Sequence, residues 1–226
     1  MQHGKHLKKL VIFDLDGTLL DTVADLAAST NHALRMCGFP PHEVDSYRFF
    51  IGNGLNKLLE RALPETAKTS ENITQLRVHF LEYYREHNSD LTVPYKGIPE
   101  LLLQLQETGV KLAVASNKYH EGTQQLVNQF FPDIRFSAVF GQRENIPAKP
   151  DPVVVEDILA IAGTNKNEVL YVGDSGVDMQ TAKNAGIDAA GVTWGLRPRA
   201  ELEAFSPEFL IDKPGEVLDI INEGKK

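Results

Sequence analysis

Asp14 and Asp16 stand two residues apart, directly after the apolar run Leu10–Phe13 and directly before Gly17. Two carboxylates that close are costly to bury unless they pair or meet a cation. Gly17 lets the backbone turn sharply behind them. Taken alone, the stretch suits an ordinary Asp-Gly turn as well as a metal or catalytic site. A second acidic pair tips that balance. Asp174 and Asp178 follow the apolar run 169–172 and Gly173, and a spacing of four puts them on one side of a helix. Asp174 also suits a helix N-cap. If the two apolar runs are neighbouring strands, up to four carboxylates converge on one spot. Their mutual repulsion calls for a hard divalent cation with oxygen ligands, and magnesium fits.

Two further segments carry what an anion needs. Ser116, Asn117 and Lys118 supply a hydroxyl, an amide and a cation after the apolar run 111–115. The pattern predicts that they open a helix, where backbone N–H groups favour anions. Lys149 precedes Pro150-Asp151-Pro152. A lone lysine is usually a solvated surface charge, but prolines beside it at a helix start stiffen its loop and favour a positioned cation.

The elements that must hold these residues follow from hydrophobic periodicity. Leu10–Phe13 is a continuous apolar run, as expected of a strand covered on both faces. Runs at 111–115, 138–140, 169–172 and 189–192 look the same. Helical patterns from Pro99 to Gly109, at 120–130, at 152–162 and at 176–185 alternate with them. Strands alternating with helices imply parallel β-α-β units, hence an α/β fold with an open, Rossmann-like parallel sheet. In such a sheet, ligands bind beyond the carboxyl ends of the strands, where the acidic pairs fall. From Thr22 to about Pro94 the rhythm breaks. Helical patterns at 23–37, 55–63 and 73–87 appear there, with no convincing strand. The expected organisation is an α/β core, residues 1–20 and 95–226, with an inserted all-helical cap, residues 21–94.

Composition sets the outer limits. The chain has 226 residues and a formal net charge of −8. That charge argues against a nucleic acid or an anionic membrane surface as partner, because neither would meet a basic field. One cysteine, Cys37, cannot form an internal disulfide. The apolar run that ends at Asp14 is too short for a signal-peptide core or a membrane span. These features favour the cytoplasm. The seven histidines show no ligand spacing and read as surface or packing residues.

In this order, Asp14-Leu-Asp16-Gly-Thr-Leu-Leu-Asp21-Thr, Ser116, Lys149 and Gly173-Asp174-Ser-Gly-Val-Asp178 resemble the four motifs of the haloacid dehalogenase-like superfamily. The resemblance implies a magnesium-dependent phosphatase acting through an aspartyl-phosphate. It implies Asp14 as nucleophile, Asp16 as general acid and then base, and Ser116 and Lys149 as phosphoryl-binding catalytic groups. Asn117 joins them as a substrate-binding residue. Magnesium would sit on the Asp14 carboxylate, the Asp16 backbone carbonyl and Asp174, with Asp178 as ligand or support, while Thr18 would support the loop. Asp16 favours phosphoryl transfer over dehalogenation, because dehalogenase members lack that second acid.

The segments 51–55, 115–118 and 191–197 are similar to phosphoglycolate phosphatases, which makes phosphoglycolate the leading candidate substrate. Gly52, Asn53 and Gly54 would then help bind it, with Lys118 or Arg197 as a possible cation for its carboxylate. Gly52 and Gly54 also suit a plain helix-initiating turn, and Trp194 a packing role. The expected partner is a small phosphorylated metabolite, and the expected state a monomer or homodimer. Rival readings are a sugar-phosphate mutase or pyrophosphatase of the same superfamily, a phosphorylated receiver domain, and a calcium loop. The last is weakened by glycine at Gly17 rather than at the loop's sixth position.

Overall fold

The computed structural model describes residues 7–223. Strand β1 (Leu10–Phe13) runs into the first acidic pair, and a two-residue strand, β2 (Leu20–Asp21), follows. Four helices come next: α1 (Val23–Met36), α2 (Tyr47–Phe50), α3 (Leu55–Ala62) and α4 (Ser70–His87). Strand β3 (Val93–Pro94) closes this helical stretch. The alternation then resumes with α5 (Ile98–Glu107), β4 (Lys111–Tyr119), α6 (His120–Phe130), β5 (Phe136–Gln142) and α7 (Val153–Ala162). It continues with β6 (Val169–Gly173), α8 (Gly176–Ala185), β7 (Asp188–Val192), α9 (Arg199–Ala204), β8 (Phe209–Ile211) and α10 (Glu216–Glu223).

Six strands form one parallel sheet in the order β5-β4-β1-β6-β7-β8. β1 is central, and the order turns back on itself there. Phe13 pairs with Val114 on one side and Val172 on the other, so the residues after these three lie level at the crevice. Alternation divides each strand between two faces. Val11, Phe13, Leu112 and Val114 pack under α5 and α10, whereas Leu10, Ile12, Ala113 and Tyr171 pack under α7 and α8. Burial on both faces explains why these strands read as continuous apolar runs. Helices α1–α4 have a core of their own around Leu34, Leu59, Leu76, Phe80 and Tyr84, which also takes in Leu196 and Tyr119.

The structure corrects three readings. Ser116–Lys118 do not open a helix: β4 continues through them to Tyr119, and α6 starts at His120. The reason is lateral. Tyr119 rejoins β5 opposite Gln142 after an irregularity, and the Asn117 side chain is held by the loop around Lys149. Asp174 is not the N-cap of α8: Ser175 is, in a reciprocal capping box with Asp178. The stretch from Thr22 to Pro94 is also not free of strand. β3 pairs antiparallel with β2, so both chain crossings form one small ribbon, too short to show any periodicity. The edge strand β8 and helices α9 and α10 lie beyond the elements read from the sequence.

Asp25, in the first turn of α1, ties the two ends of the helical stretch together. It is fully buried and accepts hydrogen bonds from the Leu91 N–H, and from the Thr92 N–H and hydroxyl at 2.8 and 2.7 Å. Removing it would strand buried donors. Asp25→Ala should therefore destabilise the protein by about 2–4 kcal/mol in urea unfolding. A change below about 0.5 kcal/mol would show that the buried donors find other partners.

Candidate active site

The carboxyl ends of β1, β4 and β6 deliver the chemistry-bearing residues to one place. Asp14 follows β1, and its N–H donates to Val172 O on the neighbouring strand at 2.9 Å. Asp174 follows β6, and Asp178 lies in the first turn of α8. Carboxylate oxygens of Asp14, Asp174 and Asp178 all lie within 4.8 Å of one another, and all three residues are buried. Asp16 is separate from this cluster. Its carboxylate turns the other way, where Oδ1 accepts from Thr22 Oγ1 at 2.7 Å and pairs with Lys118 Nζ at 3.0 Å.

Lys149 is the cation at the centre. Its Nζ donates to Asp14 Oδ1 at 2.8 Å, Asp178 Oδ1 at 2.7 Å and Ala115 O at 2.8 Å, and lies 3.0 Å from Tyr171 Oη. Burial alone would pull its pKa down, but Asp14 and Asp178 overcome that and hold it well above the ordinary lysine value. Lys149 does not balance all the negative charge. Burial, with the neighbouring Asp178, pushes the Asp14 carboxyl up to about 7 despite Lys149. Asp174 is pushed well above the carboxylate range by burial and by repulsion from Asp178 and Asp14.

The loops are shaped to this cluster. Gly17, at a φ of 92°, and Gly195 both lie against Asp174 so closely that a Cβ on either would overlap its carboxylate. The Leu196 N–H donates to Asp174 Oδ2 at 2.7 Å. Asn117 fixes the loop of Lys149 with two hydrogen bonds: the Lys149 N–H donates to its Oδ1 at 2.9 Å, and its Nδ2 donates to Lys149 O at 3.1 Å. The same Nδ2 reaches Gly52 O, 3.1 Å away on the helical stretch.

A chamber of about 40 Å³ opens beside Asp14 and Asp16. Ser116, Asn117, Lys118 and Tyr119 form one side, and Leu26, Leu55, Leu58, Phe80 and Tyr84 supply an apolar roof. Gly52 and Gly54 line it, but Asn53 lies on the outer groove beside it and accepts from Arg61 through Oδ1. Arg197 is not a chamber residue. Its guanidinium donates to Arg48 O at 2.6 Å and Ile51 O at 2.7 Å. Trp194 packs against the first loop, its Nε1 donating to Thr18 O. Sequence reasoning missed Tyr171, although a tyrosine in an otherwise apolar buried strand signals a hydroxyl in need of a partner. It also missed Leu196, whose backbone contribution leaves no mark on residue type.

Comparison with known proteins agrees with this geometry. The chain is 35% identical over 210 residues to a phosphoglycolate phosphatase of Pseudomonas putida, covering 91% of this chain and 77% of that protein. It is 33% identical over 218 residues to a phosphoglycolate phosphatase of Vibrio cholerae, covering 94% and 96%. The crystal structure of a predicted phosphoglycolate phosphatase from Haemophilus somnus superposes with a TM-score of 0.88 at 30% identity, covering 95% of this chain and 98% of that one. The family model for haloacid dehalogenase-like hydrolases matches residues 11–192, from the first strand to the last residue of β7, and the chain belongs to that family.

Proposed function

We propose that this chain is a magnesium-dependent phosphatase of small phosphate monoesters, with phosphoglycolate as its substrate. The observation that carries this reading is the buried Asp14, paired with Lys149 at a sheet switch point, with Asp16 set apart from the metal-type cluster. The phosphoglycolate phosphatases of Pseudomonas putida and Vibrio cholerae, similar along most of their length, support the substrate.

The donor set fits magnesium. Three buried carboxylates crowd together, one walled by two glycines, and the raised proton affinities of Asp14 and Asp174 record a shortage of positive charge. Asp14, Asp174 and the Asp16 carbonyl would hold the ion, with Asp178 beside them. Bound magnesium supplies charge neutralisation between an anionic nucleophile and a phosphate dianion.

Every other task falls to the chain's own residues. Asp14 attacks phosphorus and forms an aspartyl-phosphate as the ester bond breaks. Asp16 gives its proton to the leaving oxygen, then takes one from the water that hydrolyses the intermediate. Ser116 and Lys149 hold the phosphoryl oxygens, and Asn117 keeps Lys149 in place. Residues 21–94 act as a cap that excludes water from the chamber, hinged at the β2–β3 ribbon. The single cysteine and acidic charge are consistent with a cytoplasmic enzyme. A mutase or pyrophosphatase would use the same core, and a substrate panel separates them. Phosphate release from phosphoglycolate, with no isomerised phosphosugar and no turnover of pyrophosphate, is the expected result.

The acidic cluster makes stability depend on pH in a definite direction. A carboxyl whose pKa is higher folded than unfolded favours the fold below its unfolded pKa, and that contribution is lost as pH rises through the folded value. Metal-free protein should therefore lose stability from about pH 4 to beyond pH 7. Magnesium should reverse that loss, with about 2.7 kcal/mol at a hundredfold excess over its dissociation constant. Thermal melts at pH 5 and pH 8 check this: the magnesium-induced rise in Tm should be larger at pH 8. An equal or absent rise would remove the ion from this cluster.

Asp14→Asn and Asp16→Asn should fail differently. Asp14→Asn removes the attacking atom and should leave almost no turnover of any ester. Asp16→Asn should lower kcat by about 10²–10⁴-fold, most for esters with poor leaving groups. A leaving-group series measured in both variants distinguishes the roles. Substantial turnover by Asp14→Asn would assign the nucleophile elsewhere.

A further inference from the structure

Lys118 has no task in the reaction as described. It is buried beside the chamber, and its side chain is only 4% exposed. Among the described residues that line the chamber it is the single cation. Its ammonium pairs with the Asp16 carboxylate and reaches the chamber as a cation. An ammonium has three donors, and Asp16 Oδ1 takes one at 3.0 Å. Tyr84, from α4, lies across from it, with the ammonium 5.1 Å from the ring centroid. The Tyr84 hydroxyl is buried, close enough to feel the ammonium, and completes no hydrogen bond of good geometry. A charged donor and a neighbouring buried hydroxyl therefore line the same chamber.

We propose that Lys118, helped by the Tyr84 hydroxyl, determines specificity by binding a carboxylate carried on the leaving group next to the ester oxygen. This rests on the phosphatase reading above and names the feature that selects its substrate. The distances suit such a group. A general acid works within about 3 Å of the oxygen it protonates, and Asp16 Oδ1 is taken by Thr22 and Lys118, so the proton leaves from Oδ2 and Lys118 Nζ lies within about 8 Å of the ester oxygen. A carboxylate two bonds from that oxygen can span the gap and still accept a hydrogen bond. The alternatives are committed elsewhere. Arg197 spends its guanidinium on Arg48 O and Ile51 O. Gly52 turns its carbonyl to Asn117, and Asn53 is held by Arg61. The roof residues Leu26, Leu55, Leu58 and Phe80 are apolar. A leaving group with a second phosphate dianion would find only one ammonium, already shared with Asp16. The site is therefore matched to a small leaving group with a single negative charge.

The test is a ratio: kcat/KM for phosphoglycolate divided by kcat/KM for 2-hydroxyethyl phosphate, its neutral analogue. Both esters need the same nucleophile and acid, so any effect that Lys118 exerts through Asp16 cancels. The wild-type ratio should be well above ten. It should fall by about 10- to 100-fold in Lys118→Met, the loss of a charge-assisted hydrogen bond, and by less in Tyr84→Phe. Lys118→Arg should keep most of the preference, and it serves as the test if Lys118→Met does not fold. A preference that survives Lys118→Met, or vanishes in Lys118→Arg while both esters are still hydrolysed, would overturn the assignment and leave the phosphatase reading intact. Equal wild-type turnover of both esters would overturn the assignment together with phosphoglycolate as substrate. No turnover of either would remove the phosphatase reading on which both stand.

Discussion

The constraint on which this molecule depends is the burial of several negative charges at one end of a parallel sheet. Asp14, Asp174 and Asp178 are drawn together by β1 and β6, and nothing in a hydrophobic core tolerates them unpaired. Lys149 answers part of that demand by reaching Asp14 and Asp178 at once. It does so from a loop on the far side of β4, so it must be held there against its own burial. The Ala115 carbonyl, the Tyr171 hydroxyl and the Asn117 clamp share that work. A buried ion cluster of this kind is weak evidence for stability. Its retention makes sense as preorganised electrostatics, fixed before a phosphate dianion arrives.

The fold's topology follows from the same demand. Only a strand with neighbours on both sides can bring acidic residues from β1 and β6 beside a hydroxyl from β4 without a long loop. The central place of β1 in the order β5-β4-β1-β6-β7-β8 provides that. Loops beyond the sheet finish the site with glycine. Gly17 and Gly195 close on Asp174, and a side chain at either would displace the carboxylate. The four inner strands bury both faces and so carry little information beyond apolarity. The polar residues at their ends are where this chain differs from any other doubly wound sheet.

What is legible in the sequence divides along physical lines. The inner strands are visible because two-sided burial makes continuous apolar runs, and the acidic pairs because their placement after such runs has no cheap structural explanation. The convergence of Asp14, Asp174 and Asp178 follows once β1 and β6 are neighbours. Three things are hidden. The β2–β3 ribbon is two residues long on each side, below the length at which alternation shows. The course of Ser116–Lys118 is decided by lateral bonds from Asn117 and by the return of Tyr119 to β5, which local propensity does not contain. Arg197 reaches backbone carbonyls and Leu196 acts through its own N–H, and backbone atoms are the same in every sequence.

That last class of contact joins the two parts of the molecule. The loop after β7 bridges the acidic cluster and the helical stretch through two consecutive residues. The Leu196 N–H holds Asp174, while its side chain packs into the core of the helical stretch. Arg197 holds the carbonyls of Arg48 and Ile51, just ahead of Gly52. Gly52 in turn receives Asn117, which fixes Lys149. A closed path of contacts therefore runs from the acidic cluster through the β7 loop to the helical stretch, and back through β4 to the cation that balances the cluster. Displacing the helices from the sheet would break the Arg197 and Asn117 contacts together, because both end on the same short segment, 48–52, at the end of α2. The arrangement ties the position of the roof to the residues that orient the charges beneath it. A small shift of the 48–52 segment would therefore be felt at both Asp174 and Lys149.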